Sequence, residues 1–266
     1  MSELMMPSVK YRQKTIYVAI VLVIAIAGSV FVKFNPFELF ADFSQVQRLL
    51  GEMMPPNFEL LWHNKGIAAA LGQTLAMAFL SCFYGTLLAF VFALLAANNT
   101  MPNKTIRLLA GGVLDLLRII PSLVFIIMFI IVVGLGAFSG MLALVVITMS
   151  NFGKLFTDII ENTEHAPDEA IFSVGASRLQ VIRYSLFPQI LPAIIANCFY
   201  AFDVSIRAAI GLGIFGGGGI GYELFKAMQV MHYKDAFAII FIIGVLVILI
   251  EKLSDYLRGM VLGKKI

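Results

Sequence analysis

The chain has 266 residues, 60% of them hydrophobic and only 13% charged, with a mean hydropathy of +0.93 and a formal net charge of +3. A soluble domain carries about a quarter of its residues as charges, so this composition argues against a free cytosolic enzyme, a disordered chain and a small secreted scaffold. It makes lipid the solvent. The small net charge gives no sign of a nucleic-acid partner. Cys82 and Cys198 both fall in apolar runs, where they read as small hydrophobes and not as a disulfide or a metal site.

A helix needs about 20 mostly apolar residues to cross about 30 Å of hydrocarbon. Six such stretches predict an all-α integral membrane protein with six transmembrane helices. The first lies between Lys14 and Lys33. Its basic flank and Ala25-Ile-Ala27 have a signal-peptide look, but the apolar run continues through Val30, Phe31 and Val32, which suits an anchor better. Between Phe34 and Asn64, the spacing of Phe37, Phe40, Phe43, Val46, Leu49 and Leu50, with the single tryptophan Trp62, suggests an interfacial segment; an ordinary loop is the other reading.

The second stretch is uncharged from Lys65 to Lys104, too long for one untilted helix, with Asn98, Asn99 and Pro102 marking its exit. The third runs from about Leu109 to Val133 and contains Asp115, Arg118 and Pro121. The fourth has only Met141 to Gly153 free of charge, so it must tilt little or bury Lys154 and Asp158 against protein or headgroups. The fifth runs from about Ile190 to Gly211, and the sixth from Ala236 to about Tyr256. With six spans both termini lie on one side. Twelve of the 19 Lys and Arg residues then share that side, five lie opposite and two, Arg118 and Arg207, are within spans, so the positive-inside rule makes the termini cytoplasmic.

These spans divide the chain into an N-terminal part (1–65) with tail, first helix and external segment, a membrane domain (66–258), and a cytoplasmic tail (259–266). Within the membrane domain the longest cytoplasmic connection, about 162–189, reads as two short helices. Pro167, Asp168 and Glu169 suit a helix start, and Gly175 suits a left-handed cap. Ser177 and Gln180 form a capping-box pattern, after which Leu179, Ile182 and Leu186 make an apolar stripe beside Arg178 and Arg183, and Pro188 leads into the fifth span.

Glu169-Ala170-Ile171, three residues, Gly175 and then Pro188 at matching spacing resemble the EAA loop of ABC importer permeases. Ile171, Ser185 and Phe187 depart from that pattern, leaving Glu169, Ala170, Gly175 and Pro188 to carry it. Ser205-Ile-Arg-Ala-Ala209, Gly211-Leu-Gly213, Gly216-Gly-Gly-Gly-Ile-Gly221 and Pro55-Pro56-Asn57-Phe58 resemble the phosphonate-type subfamily, so the likeness covers about residues 55 to 258.

The resemblance implies a type I ABC importer transmembrane fold and a homodimer, two cytoplasmic ATPase subunits that bind ATP and Mg, and an external solute-binding protein. It also implies that Glu169, Ala170, Gly175, Arg178 and Pro188 mark the ATPase contact. The chain has no Gly-x-x-x-x-Gly-Lys-Ser/Thr of its own, and no convergent nucleophile, base or metal set, so it reads as a transport subunit without catalytic residues or a bound cofactor. A permease for methionine or another small solute is the nearest rival reading. A channel or intramembrane enzyme is the rival from another class.

Charges inside spans mark structural pairs or a polar path. Asp115 and Arg118 are three apart and Asp203 and Arg207 four apart, spacings at which a helix can neutralise its own charges. The same arginines, with Asn151, Asn197 and Ser122 as weaker candidates, could instead line a path for an oxyanion. Gly213, Gly216, Gly217, Gly218, Gly219 and Gly221 suit a dimer seam or a gate, and the literal Gly-x-Gly-x-x-Gly from Gly211 to Gly216 lacks the βαβ unit of a dinucleotide site. His232, Tyr233 and Lys234 fall on the same outer loop, within reach of a solute-binding protein.

Overall fold

The computed structural model describes residues 7–34, 43–60, 65–164 and 166–263, and all regular elements among them are helical. Phe37, Phe40, Trp62, Lys264 and Lys265 lie outside the described residues. Residues up to Met54 and those from Pro55 onward form two separately compact units. In the first, α1 (Pro7–Phe31) has a spanning stretch from Lys14 to Phe31, and α2 (Phe43–Met53) places Phe43, Val46, Leu49 and Leu50 on one face as their spacing predicts.

The second unit is organised by α3 (Lys65–Ala96) and α6 (Ala137–Glu161). Both faces of α3 are apolar, so side-chain size and not polarity selects the packed side. Ala70, Thr74, Ala78, Ser81, Gly85 and Ala89 are buried, while Phe79, Phe83, Leu87 and Val91 face outward. Small residues let helix backbones approach closely where lipid offers no hydrophobic driving force. Met77 packs on Gly140 and Gly85 on Thr148, and the Asn98 backbone N–H donates to Glu161 Oε1 at 2.8 Å. Each pair is separated by 63 positions, so α3 and α6 run parallel and in register over their length.

Parallel neighbours require a crossing between them. It is made by α4 (Lys104–Ile119) and α5 (Ser122–Val133), which meet at a 92° bend. The pair starts near the Asn98–Glu161 end and finishes at Gly136, whose N–H donates to Gly216 O at the opposite end (3.0 Å). The single helix predicted over Leu109–Val133 is therefore a broken span. Pro121 removes a donor and forces Ile120 into extended backbone (φ −74°, ψ 124°), and α5 restarts at once. Asn103 caps α4, its Oδ1 accepting from the Thr105 (2.9 Å) and Ile106 (3.4 Å) backbone N–H groups. Five described helices are long and apolar enough to span, and the broken pair makes six.

The fourth span extends well beyond its predicted Met141–Gly153 core, to 25 residues, and is the most buried of the spans. Its weak hydropathy follows from facing protein. Ser139, Ser150 and Thr157 bond back to Gly136, Ile147 and Gly153 carbonyls at 2.7, 3.0 and 2.8 Å, so their hydroxyls are satisfied without lipid contact. Two cores flank this helix. One gathers Phe152, Phe156 and Ile160 with Leu186 and Ile190, and the other gathers Met77, Ile126 and Leu144 with Ile206 and Leu212.

Candidate functional site

At the Asn98–Glu161 end, α7 (Ala166–Ser173) opens with Asp168 and Glu169 in its first turn, where negative charge suits the helix dipole. It ends on a turn in which the Gly175 N–H donates to Phe172 O at 2.9 Å. Gly175 has φ +84°, and a Cβ there would meet nothing within 4 Å, so backbone conformation alone calls for glycine. The Ser177 N–H donates to Gln180 Oε1 at 2.7 Å, the predicted capping contact, and α8 (Arg178–Val181) begins.

The apolar stripe is phased differently from prediction. Leu179 is 79% exposed and Ile182 half-buried, while Val181, Ser185 and Leu186 turn inward. A π-type turn over Ile182–Leu186 widens the helix and offsets the 3.6-residue period. The turn passes without a loop into α9 (Phe187–Leu212), with Pro188 in its first turn and Pro192 inside it. The segment from Arg178 thus forms one helical lever with the fifth span. In this segment Glu169, Ala170 and Arg178 are exposed, as are the apolar side chains of Phe172 (48%), Val174 (82%) and Leu179.

A second polar region lies at mid-depth. Met149 is the central residue of α6, and its neighbour Thr148 lies 3.4 Å from Ser205 of α9, hydroxyl to hydroxyl. Asp203 and Arg207 flank that level and form the predicted ion pair. Arg207 also reaches Glu251 of α11 (Tyr233–Val261) at 3.5 Å. This partner was missed because i,i+4 spacing sees only one helix, although Glu251 falls within the predicted sixth span. The three side chains carry a net charge of −1, so Arg207 is fully compensated.

Leu114 of α4 packs on Gly153, one turn below the centre of α6, which puts Arg118 a turn further on at the same level as Thr148. Asp115 and Arg118 do not pair with one another; both are exposed and make no ion pair or side-chain hydrogen bond among the described residues. Asn151 is exposed as well, on a stripe of α6 with Lys154 and Asp158. Asn197 bonds back to Ala193 O (2.8 Å). The fold thus sets both intramembrane charge groups and the break before Pro121 at one depth.

At the opposite end the glycine run makes a π-type turn (Gly213–Gly217) and then α10 (Gly219–Gln229). Its close approaches lie within this chain. A Cβ at Gly213 would come 2.6 Å from Gly218 O, Gly216 abuts Leu135, Gly217 abuts Leu212, Gly218 abuts Ala137 and Gly221 abuts Ile210. Gly219 packs on Thr74, whose Oγ1 accepts from the Ile220 N–H at 2.8 Å. On the loop after α10 His232 is exposed and lies 3.5 Å from Asp235, which also accepts from Asn57 Nδ2 at 2.8 Å.

The chain thus combines a parallel helix pair bridged by a broken span with a helical lever at one end and a glycine turn at the other. Residues 89–263 match the family model described as binding-protein-dependent transport system inner membrane component. The chain belongs to this family. Among its relatives, the phosphite transport system permease protein PtxC of Stutzerimonas stutzeri is 34% identical over 213 residues, covering 80% of this chain and 76% of that one. The phosphate-import permease protein PhnE of Mycolicibacterium smegmatis is 33% identical over 234 residues, 88% of this chain but only 44% of that longer one. In fold, the inward-facing MetNI methionine ABC transporter matches with a TM-score of 0.65 at 18% identity, over 77% of this chain and 99% of that one. A bacterial ABC transporter for the acidic polysaccharide alginate matches with 0.66 at 16%, over 94% and 99%. This family member is thus a multi-pass inner-membrane component of a binding-protein-dependent transport system with the fold of an ABC importer permease.

Proposed function

We propose that the chain, as a homodimer with two cytoplasmic ATPases and an external solute-binding protein, carries phosphonate, phosphite or phosphate inward by ATP-driven alternating access. The observation that carries this reading is the continuity of the lever. Glu169, Phe172, Val174 and Gly175 lie just before, and Leu179 at the start of, a helical run that carries Asp203 and Arg207. Force applied by an ATPase at Leu179, beyond the Gly175 turn, reaches Asp203 and Arg207 without crossing a loop. The substrate class comes from relatives at 33 to 34% identity that are named for phosphite and phosphate, whereas a D-methionine permease of Pasteurella multocida is 23% identical.

In this reading ATP and Mg are bound by the ATPases, the termini are cytoplasmic, and Arg118 and Asn151 face the path. The Asp203–Arg207 pair braces it, and the glycine turn acts as the outer gate. The test is purification with the ATPase, followed by uptake into proteoliposomes containing the binding protein. ATP-dependent accumulation of phosphite, phosphate or a phosphonate, lost with Glu169→Lys together with ATPase co-purification, supports it. Flux of ions without ATP or binding protein would overturn it.

A further inference from the structure

The cytoplasmic lever encloses a cavity of about 250 Å3 lined by Asn99, Asp168, Phe172, Arg178, Val181 and Leu186. Three buried side-chain oxygens lack any hydrogen-bond partner among the described residues, and two of them, Asn99 Oδ1 and Asp168 Oδ1, belong to residues lining this cavity. The Asn99 amide is oriented by its own donor, Nδ2, which bonds Ile160 O at 2.6 Å and Thr163 Oγ1 at 3.4 Å, so Oδ1 faces away from α6. Arg178 lines the same cavity and makes no ion pair among the described residues. Two residues that each carry an acceptor shut off from water thus line one cavity together with the arginine.

We propose that Asn99, Asp168 and Arg178 are positioning residues forming an open latch, which closes when Arg178 enters the cavity and bridges the two oxygens. A guanidinium has five donors in a fork and suits two acceptors at once, and buried acceptors without donors favour any state that supplies them. Arg178 is the donor already at the cavity wall, whereas both oxygens are closed to an incoming side chain in this state. The movement is local. Only the turn at Gly175, with its positive φ and open surroundings, separates α7 from α8, so a change in their angle brings Arg178 inward. Closure ties the lever to the α3–α4 connection, and through Asn99 to the end of α6, so displacement of α7 moves the parallel pair α3 and α6 as well as α9. This inference rests on the coupling role proposed above for the same segment.

The test uses the complete complex of permease, ATPase and binding protein in proteoliposomes with inorganic phosphate. Asp168→Arg and Arg178→Asp alone are each expected to raise the ATP hydrolysed per phosphate accumulated, counted per ATPase retained in the complex, by about tenfold. The double exchange, which restores complementary charge, should return that ratio to within about twofold of the unmodified protein. Arg178→Lys, which keeps the charge but lacks the fork that suits two acceptors, should fall between the unmodified protein and Arg178→Asp in the same ratio. A double exchange no better than the poorer single variant, or an Arg178→Asp ratio equal to that of the unmodified protein, overturns the latch while leaving the importer reading intact. An unmodified complex that neither retains ATPase nor accumulates phosphate removes that reading, and the latch with it.

Discussion

Gly85 of α3 and Thr148 of α6 approach so closely that a Cβ on residue 85 would lie 2.6 Å from the Thr148 Cβ and 3.2 Å from Val145 O. No rotamer relieves a clash with a Cβ or a carbonyl, so Gly85→Val must separate the helices. Overpacking of this kind costs about 1 to 3 kcal/mol. Thermal unfolding in detergent is expected to fall accordingly. Thr148→Gly in the same chain should recover part of the loss, because Val145 O still crowds the site. Equal stability of Gly85→Val and the unmodified protein would show that α3 and α6 do not pack in this register.

Gly175 makes the opposite prediction, since its surroundings are open and only its φ of +84° is special. Asparagine tolerates the left-handed region far better than β-branched residues do. Gly175→Asn should therefore retain most ATP-dependent uptake, whereas Gly175→Val costs about 1 to 2 kcal/mol locally and loses it. Side-chain bulk alone would instead make asparagine and valine equally harmful. The comparison of uptake between the two variants separates conformation from size.

The predicted span positions largely hold, because hydropathy is a property of a helix and its solvent. What the sequence concealed depends on neighbours. Pro121 announced a disturbance in the third span, but a proline in an apolar run is compatible with a mild kink or a complete break, and only the parallel α3–α6 register identifies a broken span. Met141–Gly153 looked barely long enough to cross because α6 faces protein, where Thr148, Ser150 and Thr157 are tolerated. Of the charge pairs, Asp203–Arg207 was legible from spacing. The absence of an Asp115–Arg118 pair was not, since spacing allows contact without requiring it, and Glu251 joined Arg207 through the register of two helices far apart in sequence.

Removing Arg207 strands Asp203, which is 5% exposed, as an uncompensated carboxylate. Breaking a buried pair costs about 3 to 5 kcal/mol, but Arg207 is 44% exposed, so a loss of about 1 to 3 kcal/mol is expected for Arg207→Ala. Asp203→Asn with Arg207→Gln removes both charges and should be more stable than the single variant in detergent melts. A single variant at least as stable as the double one would mean the pair does not brace α9.

Arg118 reverses that expectation because it has no partner to strand. Arg118→Ala should melt within about 0.5 kcal/mol of the unmodified protein, as substitutions outside packed or bonded sites do. If its guanidinium meets the oxyanion on the path, uptake nevertheless falls by about tenfold or more, since a charge-assisted hydrogen bond is worth about 1.5 to 3 kcal/mol. Arg118→Lys keeps the charge but loses the two-pronged geometry, and should fall between the two. Measuring phosphate uptake and ATP hydrolysis together distinguishes a path residue, where both decline in step, from a coupling residue, where hydrolysis persists. Unchanged uptake in Arg118→Ala would remove this arginine from the path and leave Asn151 as the polar side chain of the mid-depth level still to be tried.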